Sequence, residues 1–196
     1  MILTGSEDIR IRKTITAIRK TFCQMLCEMD YKKITVKELC ARAMINKKTF
    51  YTYYETLDYL LRETQESYSA PFIAQVGKYT LPDDIGRLTK LFFEFSANQD
   101  ETYEKITCAT TYCDIRNEMI NTVSNKAFGS SLPTLSPKLT AFQNKILFNF
   151  WYQTNIMIYR EWINDEKKVS LNEIIELACG LVLKGIENFT KEKTRN

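Results

Sequence analysis

The residues from 46 to 53 are the part of the sequence whose types and spacing most clearly suggest chemistry. Asn46 is followed by Lys-Lys-Thr-Phe-Tyr-Thr-Tyr, so all but one of these side chains can donate a hydrogen bond. On a helix, outward donors could contact phosphates and base edges in a DNA major groove, while Phe50 and Tyr54 point back and anchor the helix. The pattern predicts DNA contacts from Asn46, Lys47, Lys48, Thr49, Tyr51, Thr52 and Tyr53.

Each of these residue types also has a plainer interpretation. Lys47 and Lys48 alone fit a solvated charged face, and Tyr51 and Tyr53 alone fit ordinary surface tyrosines. Adjacent aromatic hydroxyls on a short basic helix favour contact with the DNA backbone. The choice between the two interpretations therefore depends on whether the flanking segments present this helix to DNA.

The flanking segments predict two short helices joined by a tight turn. Thr35 and Glu38 form a capping box, in which the threonine hydroxyl accepts the Glu38 amide and the Glu38 carboxylate reaches back. This first helix ends near Ala43, Met44-Ile45 forms the turn, and Asn46 caps the next helix. The arrangement is a helix-turn-helix, which is the motif that places a helix in the major groove.

The motif covers about residues 34–54 and has a predicted helix on each side. Apolar residues at steps of three and four predict an amphipathic helix over residues 8–29. Thr56 can cap a further helix that begins at Leu57. We therefore expect a three-helix DNA-binding domain over residues 1–56 and a second domain over residues 57–196.

The second domain is also predicted to be helical. Ser136-Pro137 fits a helix start, a cap followed by proline at the first helical position, and Ser170 with Glu173 forms another capping box. Few breakers, six Gly and four Pro, favour long helices over strands. The predicted fold class is all-α, a helix-turn-helix module followed by a helical bundle, with later helices expected over about 88–95, 101–126, 137–164 and 170–190.

Charge and composition narrow the class of function. Residues 1–62 carry twelve Lys and Arg against seven Asp and Glu, while residues 63–196 carry a net charge of −2, which favours an anionic partner for the first part. The chain has no His, no Cys-x-x-Cys pair, no phosphate-binding loop and no Gly-x-Ser-x-Gly motif. We therefore expect no metal, no cofactor and no enzymatic activity.

The start of the sequence and its hydropathy bear on location. No apolar run follows a basic start, and no apolar stretch approaches the roughly 18 residues of a membrane span. The six cysteines then fit reduced thiols. These features predict a cytoplasmic protein with no membrane contact.

Residues 8–62 resemble the TetR family of transcription regulators. The resemblance rests on the capped helix from Thr35, the Thr49-Phe50-Tyr51-Thr52-Tyr53-Tyr54 run and the Leu60-Leu61 pair that follows. The segments 150–163 and 184–186 also look like one C-terminal subgroup of that family. The resemblance implies an all-α dimer that binds a palindromic operator and is released by a small molecule. It also implies phosphate contact by Thr35, to which we add Lys37 in the same helical turn.

Two positions depart from the family pattern. The turn usually has Gly where this chain has Met44, and if that position needs positive φ the cost is roughly 1 kcal/mol. The turn geometry is therefore expected to differ slightly. The helix after the motif usually starts with a phosphate-binding Lys, where this chain has Leu57, which predicts one fewer ionic contact per module.

The C-terminal domain carries many aromatic residues that fit either of two roles. They could line a ligand cavity or belong to the packed core. Cys108 and Cys113 are similarly open between thiol sensing and small buried apolar residues. The candidate ligand-binding residues are Phe92, Phe95, Tyr103, Cys108, Tyr112, Phe148, Trp151 and Tyr152.

The expected partners follow from the resemblance and from the apolar pattern of the last two helices. Leu181, Val182 and Leu183 are consecutive, so this helix is apolar on more than one side and needs two partners. We expect a homodimer formed through residues 137–164 and 170–190, bound to double-stranded DNA and to a small-molecule effector. A repressor is expected, and the alternative is an activator or adaptor controlled by a protein partner.

Overall fold

A computed structural model describes the backbone of residues 8–109, 112–128 and 134–190, and the side chains of these residues except 113, 115, 127, 128 and 187–190. Within these ranges the chain is helical and contains no strand, as the sequence predicts. The helices are α1 Ile9–Glu28, α2 Val36–Arg42, α3 Lys47–Tyr53, α4 Leu57–Val76, α5 Ile85–Ala97, α6 Glu101–Cys108, α7 Cys113–Phe128, α8 Ala141–Asn164 and α9 Leu171–Thr190.

The chain divides into two compact units, Met1–Tyr68 and Ser69–Asn196. Helix α4 passes through this division, which lies later than the sequence-based boundary at residue 56. The difference has a local cause, because Asp58 and Glu63 in the first part of α4 accept hydrogen bonds from residues of the N-terminal unit.

The N-terminal unit is built on caps that the sequence predicts. The Thr35 hydroxyl accepts the Glu38 amide at 3.2 Å, and the Thr56 hydroxyl accepts the Tyr59 amide at 3.1 Å. The capping box at Thr35 is only half formed, because the Glu38 carboxylate pairs with Arg42 at 2.8 Å instead of reaching back.

The turn between α2 and α3 keeps the geometry that glycine would give it. Met44 has φ 54°, and its side chain is 91% exposed. The amide of Ile45 donates to the Cys40 carbonyl at 3.0 Å and that of Met44 to Ala41 at 3.3 Å, which is a Schellman motif. The expected change of geometry is therefore wrong, and methionine adopts the left-handed conformation at a cost of about 1 kcal/mol.

The C-terminal unit has a core shared by α5, α8 and α9. Leu88, Trp151, Val182 and Ile186 are buried together, and the Trp151 indole donates to the Thr89 hydroxyl at 2.9 Å. The Tyr159 hydroxyl donates to the Ser96 carbonyl at 3.0 Å, about two helical turns further along both helices. These bonds fix the register of α8 against α5.

The predicted bounds of two helical segments in the C-terminal unit are wrong. Helix α8 begins at Ala141 rather than near Pro137, because Thr140 and Gln143 form a complete capping box and Asn144 binds the backbone of Ser136. The predicted helical region 101–126 is two helices, since the backbone at Ala109 is extended. The capping box of Ser170 and Glu173 is confirmed as the start of α9.

Candidate nucleic-acid interface

Helix α3 is anchored on one side and exposed on the other. Phe50 and Tyr54 are almost completely buried, as the sequence predicts, and their rings pack 5.7 Å apart. At 100° per residue, the side of the helix opposite Phe50 carries Lys48 and Thr52, which lie one turn apart and are exposed. The outermost ridge of α3 is therefore formed by one ammonium group and one threonine.

The predicted contact residues are mostly exposed on this unit. Thr49 and Tyr53 are half-buried, and the others are exposed: Thr35, Lys37, Asn46, Lys47, Lys48, Tyr51 and Thr52. Within the part of the chain that the structure describes, neither Lys47 nor Lys48 forms an ion pair with a carboxylate. Their ammonium groups are therefore available to an external anion.

Several polar groups on α3 are already used within the helix. The Asn46 side-chain oxygen accepts the Thr49 amide at 2.7 Å and the Thr49 hydroxyl at 3.0 Å. The Thr52 hydroxyl donates to the Lys48 carbonyl at 2.9 Å. Tyr51 packs its ring edge against Phe50 with centroids 5.4 Å apart, which holds its hydroxyl outward on a rigid ring.

A hydrogen-bonded cluster ties α3 to α1 and α4, and sequence reasoning missed it. The Glu63 carboxylate accepts from the Tyr54 hydroxyl at 2.8 Å and from the Arg19 guanidinium at 2.7 Å. Burial alone would raise the pKa of Glu63, but the pKa is lowered overall, and the hydrogen bonds from Tyr54 and Arg19 and the positive charge of Arg19 are among the causes. The cluster fixes the C-terminal end of α3. An apolar pattern could not reveal it, because its members are polar and Arg19 lies 35 residues before Tyr54 in the sequence.

Two further polar contacts brace the motif. Arg42 at the end of α2 pairs with Glu28 of α1 as well as with Glu38. The Tyr31 hydroxyl donates to Asp58 in the first turn of α4. Helices α1, α2 and α4 are therefore joined around the motif by side chains that leave the exposed face of α3 unoccupied.

The candidate ligand-binding residues of the C-terminal unit fall into two aromatic groups. Phe95 and Tyr103 pack with centroids 6.2 Å apart, and the Tyr103 hydroxyl lies 2.8 Å from that of Ser96. Phe148 packs against Trp151 at 5.6 Å and against Tyr152 at 6.0 Å. Tyr103, Tyr112, Phe148 and Trp151 are buried, whereas Phe92, Phe95, Cys108 and Tyr152 are half-buried.

Of the two candidate cysteines, the structure describes the side chain of Cys108 only. Burial and the neighbouring Glu104 raise the pKa of Cys108 to about 11, against the opposing effect of three nearby cations. At neutral pH the Cys108 thiol is then almost entirely protonated, whereas the thiolate is the reactive form. This argues against thiol sensing by Cys108. The Cys113 side chain lies outside the described residues.

A buried amide on α8 was not among the predicted candidates. Asn155 is 2% exposed, and its side-chain oxygen has no hydrogen-bond partner among the described residues. It lies one turn from Trp151 and one turn from Tyr159, both of which bind α5 through hydrogen bonds. Native cores seldom leave such a group unpaired, so the position is energetically unfavourable as it stands. A lone Asn in an aromatic run gives no sequence signal of this kind.

Within the described residues, no group of three His, Cys, Asp or Glu side chains is placed to hold a metal ion. No helix among them is both long and apolar enough to cross a membrane. The exposed donors on α2 and α3 form a surface that suits an anionic polymer.

Solved structures with this arrangement are transcription regulators. A TetR transcriptional regulator from Streptococcus agalactiae is 18% identical, with a TM-score of 0.66 over 88% of this chain and 95% of that one. The chain has a TetR-like fold. FadR from Bacillus subtilis, solved with stearoyl-CoA, is 14% identical, with a TM-score of 0.62 over 87% of this chain and 98% of that one. The resemblance inferred from the sequence is thus confirmed at the level of the fold.

A third similar structure is described as an activator. The dihydroxyacetone kinase operon activator DhaS is 19% identical, with a TM-score of 0.53 over 91% of this chain and 98% of that one. No protein-family model and no curated protein matches the chain. At these identities the likeness covers the fold and leaves DNA sequence and ligand to be argued from this chain's own residues.

Proposed function

We propose that this protein is a TetR-like transcription regulator that binds double-stranded DNA through α2 and α3. The observation that carries the proposal is the exposed face of α3, where the ammonium groups of Lys47 and Lys48 have no carboxylate partner among the described residues. Phe50 and Tyr54 are buried and anchor the helix on its other side. Thr35 and Lys37 at the start of α2 add a hydroxyl and a cation for phosphate. The DNA-binding unit extends to Tyr68, because the first turns of α4 belong to it.

The protein acts as a homodimer in this proposal. Exposed apolar side chains one helical turn apart form a stripe on α8. Its members Phe142 and Ile146 are 71% and 52% exposed. Leu177 and Leu181 form a second exposed stripe on α9. A Cβ atom at Gly185 would lie 2.9 Å from the Phe150 ring, so the two helices approach closely there and the stripes join into one patch. An apolar patch of this kind is typical of an interface, and a second copy covers it symmetrically.

The consecutive apolar residues of α9 divide between two environments. Val182 is completely buried within its own chain, whereas Leu181 is 49% exposed. A charge at Val182 is therefore expected to unfold the C-terminal unit, so this position does not test the interface. Leu181 is the residue whose substitution tests the interface.

A small molecule bound in the C-terminal unit is proposed to release the DNA, which makes the protein a repressor. Two features support a ligand: the aromatic side chains around α5 and α8, and the unpartnered buried amide of Asn155. Among the described helices, α4 alone has residues in both compact units, and it is the element through which the two activities would be linked. The likeness to FadR in its stearoyl-CoA complex makes acyl-CoA the first compound to test.

The alternative is a regulator of the same fold that activates transcription through a protein partner. The specific observation behind it is the likeness to DhaS, which is an operon activator. Under either alternative the protein is cytoplasmic and is not an enzyme. A transcription assay in vitro separates the two, because a repressor lowers and an activator raises the output from a promoter carrying the bound sequence.

The experiment that tests DNA binding is selection from a random pool of duplexes. The full chain is expected to enrich a palindrome whose half-sites lie about one helical turn apart, because a two-fold dimer presents two copies of α3. The control is the same chain with Lys47→Ala and Lys48→Ala, which is expected to enrich no sequence. If the unmodified chain also enriches none, the proposed function is wrong.

A further inference from the structure

Thr52 faces outward on α3 with its hydroxyl proton already used. The hydroxyl donates to the Lys48 carbonyl at 2.9 Å within the helix. A hydroxyl has a single proton, so this side chain has none left to donate to DNA. The bond also selects the χ1 rotamer, because it requires the oxygen to point toward the preceding turn, and the γ-methyl group is thereby held in one direction.

The neighbours of Thr52 differ from it in chemistry. Lys47, Lys48 and Tyr51 are exposed and keep their own donors. Thr49 has a methyl group too, but its side chain is half-buried and its hydroxyl is bound to Asn46. On the exposed face of α3, Thr52 is therefore the side chain that offers a fixed methyl group among polar donors.

Base pairs in the major groove offer one feature that matches a methyl group. Thymine carries a C5-methyl group, whereas the other bases present only hydrogen-bond donors and acceptors at their major-groove edges. Two methyl groups in contact exclude water and need no proton. An asparagine or glutamine at this position would read adenine instead, through two hydrogen bonds.

We propose that the γ-methyl group of Thr52 reads the C5-methyl group of one thymine in each half-site. The inference rests on the proposed DNA binding and adds the base that this residue selects. Lys48, on the same ridge, supplies the charge that holds α3 in the groove. Thr52 supplies discrimination by apolar contact and not by a hydrogen bond.

The test uses the palindromic duplex enriched from the random pool. Each thymine is replaced in turn by deoxyuracil, which lacks only the methyl group, and binding is measured for the full chain and for its Thr52→Val and Thr52→Ser variants. At one thymine per half-site, deoxyuracil is expected to weaken binding by the unmodified chain about fourfold, which is the ~0.8 kcal/mol of one buried methyl group. Thr52→Val keeps the methyl group and should keep this sensitivity. Thr52→Ser should lose it.

Thr56→Ser is the matched control, because it removes a threonine methyl group outside α3, keeps the hydroxyl that caps α4, and should leave the deoxyuracil sensitivity unchanged. The proposal is overturned if Thr52→Ser keeps the sensitivity and Thr52→Val loses it, because the hydroxyl would then be the reader. It is equally overturned if the duplex is bound specifically and the effect of deoxyuracil does not depend on residue 52 at any thymine. If no duplex is enriched from the pool, the proposed function is wrong and this inference fails with it.

Discussion

The two compact units differ in what their surfaces expose. In the N-terminal unit, the apolar side chains of α3 are buried and the exposed ones are donors, which suits an anionic polymer. In the C-terminal unit, α8 and α9 keep large apolar side chains at the surface, which suits a second apolar surface. This comparison underlies the proposal that one unit binds DNA and the other binds a copy of itself. A substitution in either unit therefore tests one half of this comparison.

The largest expected effect comes from the apolar patch. Leu181→Asp places a charge in the middle of the α9 stripe, so sedimentation velocity should show a monomer. Operator affinity should fall by about 100-fold or more, because two linked modules bind far more tightly than one. Asn172→Asp adds the same charge at an exposed polar position of α9 and should stay dimeric. Phe142→Asp is a second test at another site of the patch. A stable dimer in both variants would contradict the assignment of the interface.

The next effect concerns the charge on α3. Lys48→Ala should weaken operator binding about tenfold and lower the slope of log affinity against log salt by about 1 per subunit, because one phosphate contact is lost. Lys78→Ala removes an exposed lysine elsewhere and should change neither quantity. If Lys48→Ala instead binds poorly only to certain sequences with the salt slope intact, Lys48 reads a base edge and not a phosphate.

A smaller effect is expected from the cluster behind α3. Glu63→Gln should lower the free energy of unfolding by about 1–3 kcal/mol, because a half-buried charged hydrogen-bond network loses its carboxylate. Since folding lowers the pKa of Glu63, its stabilising effect is present above the unfolded pKa of about 4.3 and is lost as pH falls through the folded pKa. Denaturant titrations at neutral pH and below pH 4 should therefore show the two proteins converging in acid. A constant difference would exclude this role.

The smallest effect is expected in the core of the C-terminal unit. Asn155→Leu removes a buried amide oxygen that has no partner, so it should raise the stability by about 1 kcal/mol and the midpoint of thermal unfolding by about 2–4 °C. Asn144→Leu is the matched control and should destabilise, because its amide binds the backbone of Ser136. A destabilised Asn155→Leu variant would show that the amide has a partner in solution.

The same difference between the units explains how much the sequence could predict. In the N-terminal unit, caps such as Thr35 and Asn46 act within four residues, so their geometry is local and the exposed face follows from it. In the C-terminal unit, Trp151 fits core and ligand cavity equally well by type, and only its bond to Thr89 on a distant helix decides its orientation. The start of α8 was mispredicted for the same reason. The Asn144 side chain binds the backbone of Ser136, eight residues earlier, and the Ser136-Pro137 signal for a helix start gives no indication of that bond.

The measurement that tests the central claim most directly is the salt dependence of binding to the selected duplex. If the exposed ammonium groups of Lys47 and Lys48 contact phosphates in both subunits, the affinity of the full chain should fall by about 10²-fold between 50 and 200 mM salt, through counterion release. The variant with both Lys47→Ala and Lys48→Ala should show a clearly shallower slope. An affinity for the duplex that does not change across this range would contradict DNA recognition by this surface.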